Sequence, residues 1–121
     1  MKIDREIKFR GMSIYNDKWV YGYYFFVPCE KAHYIQSLNT NSKEQVYPST
    51  VSQYTGLVDG NGAEIYEGDI LREHGQEFVD WLVIYDDGAF KGYYRGQLEP
   101  LSELTDYEVV GTFSDYMMGV S

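Results

Sequence analysis

Residues 53–71, QYTGLVDGNGAEIYEGDIL, contain two turn signals that lie close together. Residues 59–62, DGNG, collect residue types that tolerate a positive φ, so they predict a tight turn between the apolar segments GLV and AEIY. Residues 67–69, EGD, predict a second sharp bend, after which a new strand begins. We interpret the stretch as a structural motif, whose members are Thr55, Gly56, Asp59, Asn61, Gly62, Glu67, Gly68 and Asp69.

The chain after this stretch predicts further β structure. Asp86-Asp87-Gly88 is a strong signal for a hairpin over residues 79–95, because an Asp-Gly pair suits the two-residue turns that join antiparallel strands. Pro100, with leucines three residues apart in 98–104, predicts one or two helical turns. Residues 107–115, YEVVGTFSD, predict a closing strand.

The N-terminal part predicts a β meander. Residues 3–10 alternate apolar and charged side chains apart from Arg5, which is typical of an amphipathic strand, and Gly11 is expected to interrupt it. Residues 16–18 predict a turn, and the aromatic run WVYGYYFFV at 19–27 predicts a strand that ends at Pro28. Residues 37–50 are polar and rich in turn-forming residues, so we expect a loop with at most a short strand.

These elements predict one mainly β domain over residues 1–121. A Gly-Asp turn that leads straight into an apolar strand recurs in small SH3-like barrels. We therefore expect a small antiparallel SH3-like barrel or bent sheet in 51–121. An N-terminal β segment, residues 1–50, is expected to pack on it, and one short helix is expected.

Charge and cysteine content narrow the classes of function. The formal net charge is −9, with +2 in residues 1–31 and −11 in the remaining 90 residues. An acidic body repels phosphates, so no direct nucleic-acid binding is expected. The single Cys29 cannot form an internal disulfide, which favours a reducing cytoplasm. No segment reaches the length of a membrane span, so no membrane association is expected.

Four segments resemble the YopX-like family of small phage and prophage proteins. These segments are REIKFRGM at 5–12, QYTGLVDGNGAEIYEGDIL at 53–71, VIYDDGAFKGY at 83–93 and EVVGTFSD at 108–115. They occur in the family's order, and residues 13–50 contribute little to the resemblance. It implies a compact, mainly β, phage-encoded protein in the bacterial cytoplasm. The family has no established activity, so the resemblance transfers no catalytic residues.

Two groups of residues are weighed as chemical sites and set aside. Cys29 and His33, with Glu30 and His74 as conceivable helpers, lack both a second cysteine and a metal-ligand spacing, and no signature of a Cys-His nucleophile accompanies them. Glu64, Glu67 and Asp69 do not have the spacing of a calcium loop. Asp69 is expected to cap the turn and Glu64 to lie on a solvent face. No catalytic residue, metal or cofactor is predicted.

The aromatic residues of 19–27 are the candidate interface. The set consists of Trp19, Tyr21, Tyr23, Tyr24, Phe25 and Phe26. Tyr15 and these tyrosines could stack on nucleic-acid bases, but only Lys18 and Lys31 lie close by in sequence, whereas such platforms usually sit in a positive groove. Because WVYGYYFFV is apolar on both faces of any strand it forms, we expect a homo-oligomer, at least a dimer, that buries one face.

The sequence leaves three classes of function open. The first is a non-catalytic protein-interaction module, a phage accessory protein with an unknown protein partner. The second is an acidic DNA mimic that occupies the DNA site of a host enzyme, for which carboxylates should be spaced in rows like phosphates. The third is a metal-dependent or cysteine-based enzyme, which ranks last.

Overall fold

Antiparallel strands make up most of the described structure. The computed structural model describes residues 6–113. Its strands are β1 (Phe9–Met12), β2 (Trp19–Val27), β3 (Ala32–Ser37), β4 (Lys43–Gln45), β5 (Ser52–Val58), β6 (Glu64–Tyr66), β7 (Asp69–Arg72), β8 (Asp80–Asp86), β9 (Ala89–Tyr94), β10 (Gln97–Pro100) and β11 (Glu108–Thr112). Two 3-10 helices of three residues each span Pro48–Thr50 and Leu101–Glu103.

The strands form two sheets. One has the order β4-β3-β2-β1-β5-β6, and the other has the order β10-β9-β8-β7-β11. The prediction of a mainly β fold is confirmed. Over residues 6–113 neither sheet closes into a barrel, so the barrel form of that prediction is not confirmed. The chain divides inside β5 into two compact units, residues 1–54 and 55–121, which we describe separately.

The first unit is a meander around β2. This strand covers Trp19–Val27 as predicted and pairs with β1 on one side and with β3 on the other. Gly22 lies where the backbones approach closely, because a Cβ there would stand 1.8 Å from the carbonyl oxygen of Gln36. An isolated bridge between Ser13 and Val46 joins the chain just after β1 to the chain just after β4.

Three predictions for the first unit need correction. β1 begins at Phe9 rather than in residues 3–8, of which 3–5 lie outside the described residues. Gly11 lies inside β1 instead of interrupting it. A Cβ at this position would stand 2.9 Å from the Val46 side chain, so the close packing of Val46 on β1 requires a glycine. Residues 32–37, for which no strand was predicted, form β3, and the predicted loop 37–50 contains β4 and a 3-10 helix.

The second unit is organised by hairpins. Asp87 and Gly88 have φ of +49° and +82°, as a two-residue hairpin turn of the primed type requires, and they join β8 to β9 as predicted. Arg95 and Gly96 have φ of +47° and +86° and join β9 to β10 in the same way. One or two helical turns were predicted in residues 98–104. Residues 98–100 instead lie in the edge strand β10, and the helical part is the 3-10 helix Leu101–Glu103.

A single apolar cluster stabilises the second unit. The fully buried members come from β6, β7, β8 and the region around the second 3-10 helix: Ile65, Leu71, Trp81, Val83, Leu101 and Leu104. Burial of a large aliphatic or aromatic side chain contributes roughly 1.5–3 kcal/mol. The predicted closing strand is present as β11, which pairs with β7 and has a bulge between Val109 and Gly111; Ser114 and Asp115 lie outside the described residues.

Candidate functional site

Within the structural motif of residues 55–69, the Asp59 side chain links two parts of the second unit by hydrogen bonds. Asp59 is buried, and its Oδ1 accepts hydrogen bonds from the backbone N–H groups of Asn61 at 2.8 Å and Ala63 at 2.9 Å. Its Oδ2 accepts a third bond from the N–H of Val109 at 2.9 Å. The carboxylate therefore fixes its own turn and also ties that turn to β11, 50 residues further along the chain.

These hydrogen bonds change the acidity of Asp59. Burial by itself raises the pKa of the carboxyl, but the N–H groups of Val109, Ala63, Asn61 and Gly62 stabilise the ionised form. The hydrogen bonds outweigh burial, so the pKa lies below its ordinary value of 3.8. A carboxylate held ionised by backbone donors contributes to the stability of the fold and is poorly suited to accept a proton in catalysis.

Asp69 has a similar position at the second bend. It is 1% exposed, and its Oδ2 accepts the backbone N–H of Tyr66 at 2.8 Å, as expected of a residue that caps a turn. Gly68, with φ of +89°, donates its N–H to the Val83 carbonyl at 2.8 Å and accepts the N–H of Phe113 at 2.7 Å. The bend is thus attached to β8 and to the end of β11.

The remaining motif residues lie on the same elements. Thr55 is buried, and its hydroxyl donates to the carbonyl of Ile65 at 2.7 Å. Gly56 lies in β5, and Glu67 is half-buried in the bend between β6 and β7. Glu64, expected on a solvent face, is instead half-buried and accepts a hydrogen bond from the Tyr66 hydroxyl at 3.2 Å.

The structure separates the candidate interface residues by strand alternation. Trp19, Tyr21, Tyr23 and Phe25 lie on one face of β2, whereas Tyr24 and Phe26 lie on the other. Tyr21 is 40% exposed, Tyr23 57% and Phe26 45%. β2 is an interior strand of its sheet, yet it presents aromatic rings to solvent on both faces.

The ring-lined face continues onto the neighbouring strands. Tyr23 is opposite Gln36, and Phe25 is opposite Tyr34, with their rings stacked at a centroid distance of 5.4 Å. Gln36 is in turn opposite Lys43 on β4. We call the side chains of Tyr21, Tyr23, Phe25, Tyr34, Gln36 and Lys43 the aromatic face.

Two cations lie against aromatic rings of this unit. The Lys43 ammonium lies 4.6 Å from the centroid of Tyr34, and the Arg10 guanidinium lies 4.4 Å from that of Trp19. Sequence reasoning missed both, because it considered only Lys18 and Lys31. Pairing of β1 with β2 and of β4 with β3 brings Arg10 and Lys43 to the rings. The sequence predicts a meander in this region but not the register of its strands.

The residues weighed as a cysteine or metal site have other surroundings. Cys29 is exposed after β2. His33 lies on β3, where its Nδ1 is 2.7 Å from the Tyr24 hydroxyl and its ring centroid is 4.7 Å from that of Phe26. Within residues 6–113, no three His, Cys, Asp or Glu side chains come together as a metal site would require.

Several acidic residues of the second unit have partners within the fold. Arg72 and Asp80 are opposite each other on β7 and β8 and form two parallel hydrogen bonds of 2.7 and 3.1 Å. Lys91 lies 3.1 Å from Asp86 in the hairpin. Together with the buried Asp59 and Asp69, four carboxylates of this unit therefore take part in stabilising its own strands and turns.

Comparison with known proteins identifies the family and one solved relative of the fold. No curated protein matches the chain, and no helix in residues 6–113 is long and apolar enough to cross a membrane. The crystal structure of protein EF1440 from Enterococcus faecalis is similar, with a TM-score of 0.61 and 20% identity over 98% of this chain and 100% of that chain. Residues 8–113 match the family described as YopX protein. The chain therefore belongs to the YopX family.

Proposed function

We propose that this protein is a phage accessory protein that acts as a non-catalytic protein-interaction module in the bacterial cytoplasm. Membership of the YopX family suggests a phage-type protein. The observation that carries the proposal is the exposure of Tyr21 and Tyr23 on one face of β2 and of Phe26 on the other. Tyrosine and phenylalanine are enriched in protein interfaces, where their rings bury much area at little cost in conformational entropy.

The structural motif of residues 55–69 supports the proposal that this protein catalyses no reaction. Asp59 and Asp69 are the most deeply buried carboxylates of the second unit, and both accept backbone N–H groups at turns. Both carboxylates therefore fix the backbone conformation of their turns. The lone cysteine, Cys29, is exposed after β2, and His33 is engaged with the Tyr24 hydroxyl.

Affinity capture from lysate of a bacterial host tests the interaction. The immobilised wild-type chain is compared with two variants, Tyr23→Arg and Phe26→Asp, which place a charge on opposite faces of β2. Phe78→Ser is the matched control, because Phe78, at 91%, is the most exposed aromatic side chain among the described residues of the second unit. We expect a host or phage protein identified by mass spectrometry to be retained by wild type and control and lost with at least one β2 variant.

DNA mimicry is the alternative function. It is favoured by the charge of the second unit, which has fourteen acidic and three basic residues. It is disfavoured by the use of Asp59, Asp69, Asp80 and Asp86 within the fold. A mimic predicts that duplex DNA elutes the captured protein. Glu103 and Asp106 are exposed acids at and just after the second 3-10 helix, so a mimic also predicts that Glu103→Gln with Asp106→Asn abolishes capture while Tyr23→Arg does not.

A further inference from the structure

We infer that the aromatic face of the first unit binds the same face of a second copy of the chain, forming a symmetric dimer. This inference rests on the proposed interaction function and adds the surface and the partner. Tyr23 lies at the middle of the three residues that β2 contributes to the face, between Tyr21 and Phe25, and is the most exposed of the three. Aromatic side chains at the centre of a patch and charged ones at its rim are typical of protein interfaces.

The Tyr34 and Phe25 rings of the face are held in place before any partner binds. Tyr34 stacks on Phe25, its hydroxyl donates a hydrogen bond to Glu30, and Lys43 lies over its ring. The hydrogen bond to Glu30, followed by burial, raises the pKa of Tyr34 above its ordinary value of 10.0. Side chains that are already ordered lose less conformational entropy on binding, which favours association.

The charges beside the rings favour a second copy as the partner. Glu30 and Lys43, an anion and a cation, flank the same ring, that of Tyr34. In a twofold dimer the same patch meets itself in the opposite direction, so a cation of one copy can face an anion of the other. A patch built for nucleic acid or for an acidic protein would carry charges of one sign.

The distribution of net charge also favours contact through the first unit. Residues 1–54 have seven basic and five acidic side chains, whereas residues 55–121 carry a net charge of −11. Two copies of a chain with net charge −9 repel each other, and that repulsion is smallest where the like charge is lowest. The aromatic face lies entirely in the unit of lower charge.

Light scattering and sedimentation of the full chain at tens of micromolar, well above a Kd of about 1 µM, test the dimer. We expect a dimer for wild type and for the control Phe78→Ser. For Tyr23→Arg we expect the dissociation constant of the dimer to rise at least about tenfold. Circular dichroism confirms that each variant is folded. A monomeric wild type, or a Tyr23→Arg variant that dimerises like wild type, overturns the inference.

A charge exchange tests the pairing independently of the ring. Glu30→Lys alone and Lys43→Glu alone should each weaken the dimer, because like charges then face each other. The two substitutions together should weaken it less than either alone, because opposite charges face each other again while the two contacts to the Tyr34 ring are lost. Equal weakening in the single and double variants contradicts the symmetric arrangement.

The experiments also distinguish other partners. A monomeric wild type that still captures a host protein, lost in Tyr23→Arg, overturns the dimer but leaves the proposed function standing. A monomeric wild type whose binding to labelled oligo-dT, measured by fluorescence polarisation, is lost in Tyr23→Arg identifies single-stranded nucleic acid as the ligand and overturns the inference.

Discussion

The two units of this chain differ in what their charged side chains contact. In the second unit, carboxylates accept hydrogen bonds from backbone N–H groups or pair with cations on neighbouring strands, and a cluster of apolar side chains is buried. In the first unit, cations lie against aromatic rings on neighbouring strands. Both units expose aromatic rings, such as Tyr23 in the first and Tyr85 in the second. The comparison indicates that carboxylates fix turns and strand pairs in the second unit, whereas contacts between cations and rings join neighbouring strands in the first.

The largest expected effect is the loss of the first unit's sheet in Gly22→Ala. The new Cβ would stand 1.8 Å from the Gln36 carbonyl oxygen, so β2 and β3 cannot keep their pairing without moving apart. Overpacking typically costs about 1–3 kcal/mol in free energy of unfolding, and a clash with backbone at this distance should lie at or above the upper end of that range. Denaturant unfolding measures the change, and Gly111→Ala, which would meet no atom within 4 Å, is the matched control. Equal effects of the two substitutions would contradict the close approach.

The next effect lies in the second unit, at Asp69. Asp69→Ala leaves the N–H of Tyr66 without its acceptor in a buried setting, which costs about 1–3 kcal/mol. Glu67→Ala in the same bend should change stability by less than about 0.5 kcal/mol. Thermal melts and divalent-cation titrations of both variants measure this. If wild type binds a cation tightly and the variants lose it while keeping their melting temperatures, the bend is a metal site instead of a turn.

A pH dependence is expected from Asp59. Because its pKa in the folded chain lies below the ordinary 3.8, ionised Asp59 stabilises the fold above that value, and the stabilisation is lost as the pH falls below 3.8 through the folded pKa. Asp59→Asn should be about 1 kcal/mol less stable at pH 7, since an amide has one acceptor oxygen instead of two. Unfolding measured from pH 7 to pH 2 should show the gap closing; a constant gap would rule out this role.

The smallest expected effect on stability belongs to the exposed aromatic face. Tyr23→Ser removes a ring that is 57% exposed, so the free energy of unfolding, measured at a chain concentration well below the dimer Kd, should change by less than about 0.5 kcal/mol. The same variant should lose its protein partner in affinity capture. A large loss of stability, measured in denaturant, would show instead that Tyr23 supports the fold of the first unit.

The sequence predicts the second unit better than the first, for a physical reason. A two-residue hairpin is encoded locally, so Asp87-Gly88 could be read directly, although the equivalent turn at Arg95-Gly96 was missed because arginine seldom adopts positive φ. β3 and the approach of Lys43 to Tyr34 depend on the hairpins β2–β3 and β3–β4, whose turns contain no Asn-Gly or Asp-Gly signal. The place of Gly11 inside β1 depends on its contact with Val46, far along the chain. The bond from Val109 to Asp59 is of the same kind.

The bridge between Ser13 and Val46 limits the kinds of aggregate this chain can form. Backbone hydrogen bonds from Ile14 to Gln45 and from Tyr47 to Met12 engage the chain around the end of β4. An exposed edge strand with unpaired backbone groups can template growth of a fibre by adding strand after strand. Because the end of this edge is already paired within the chain, strands cannot be added at this point, which disfavours open-ended polymers that would grow from it.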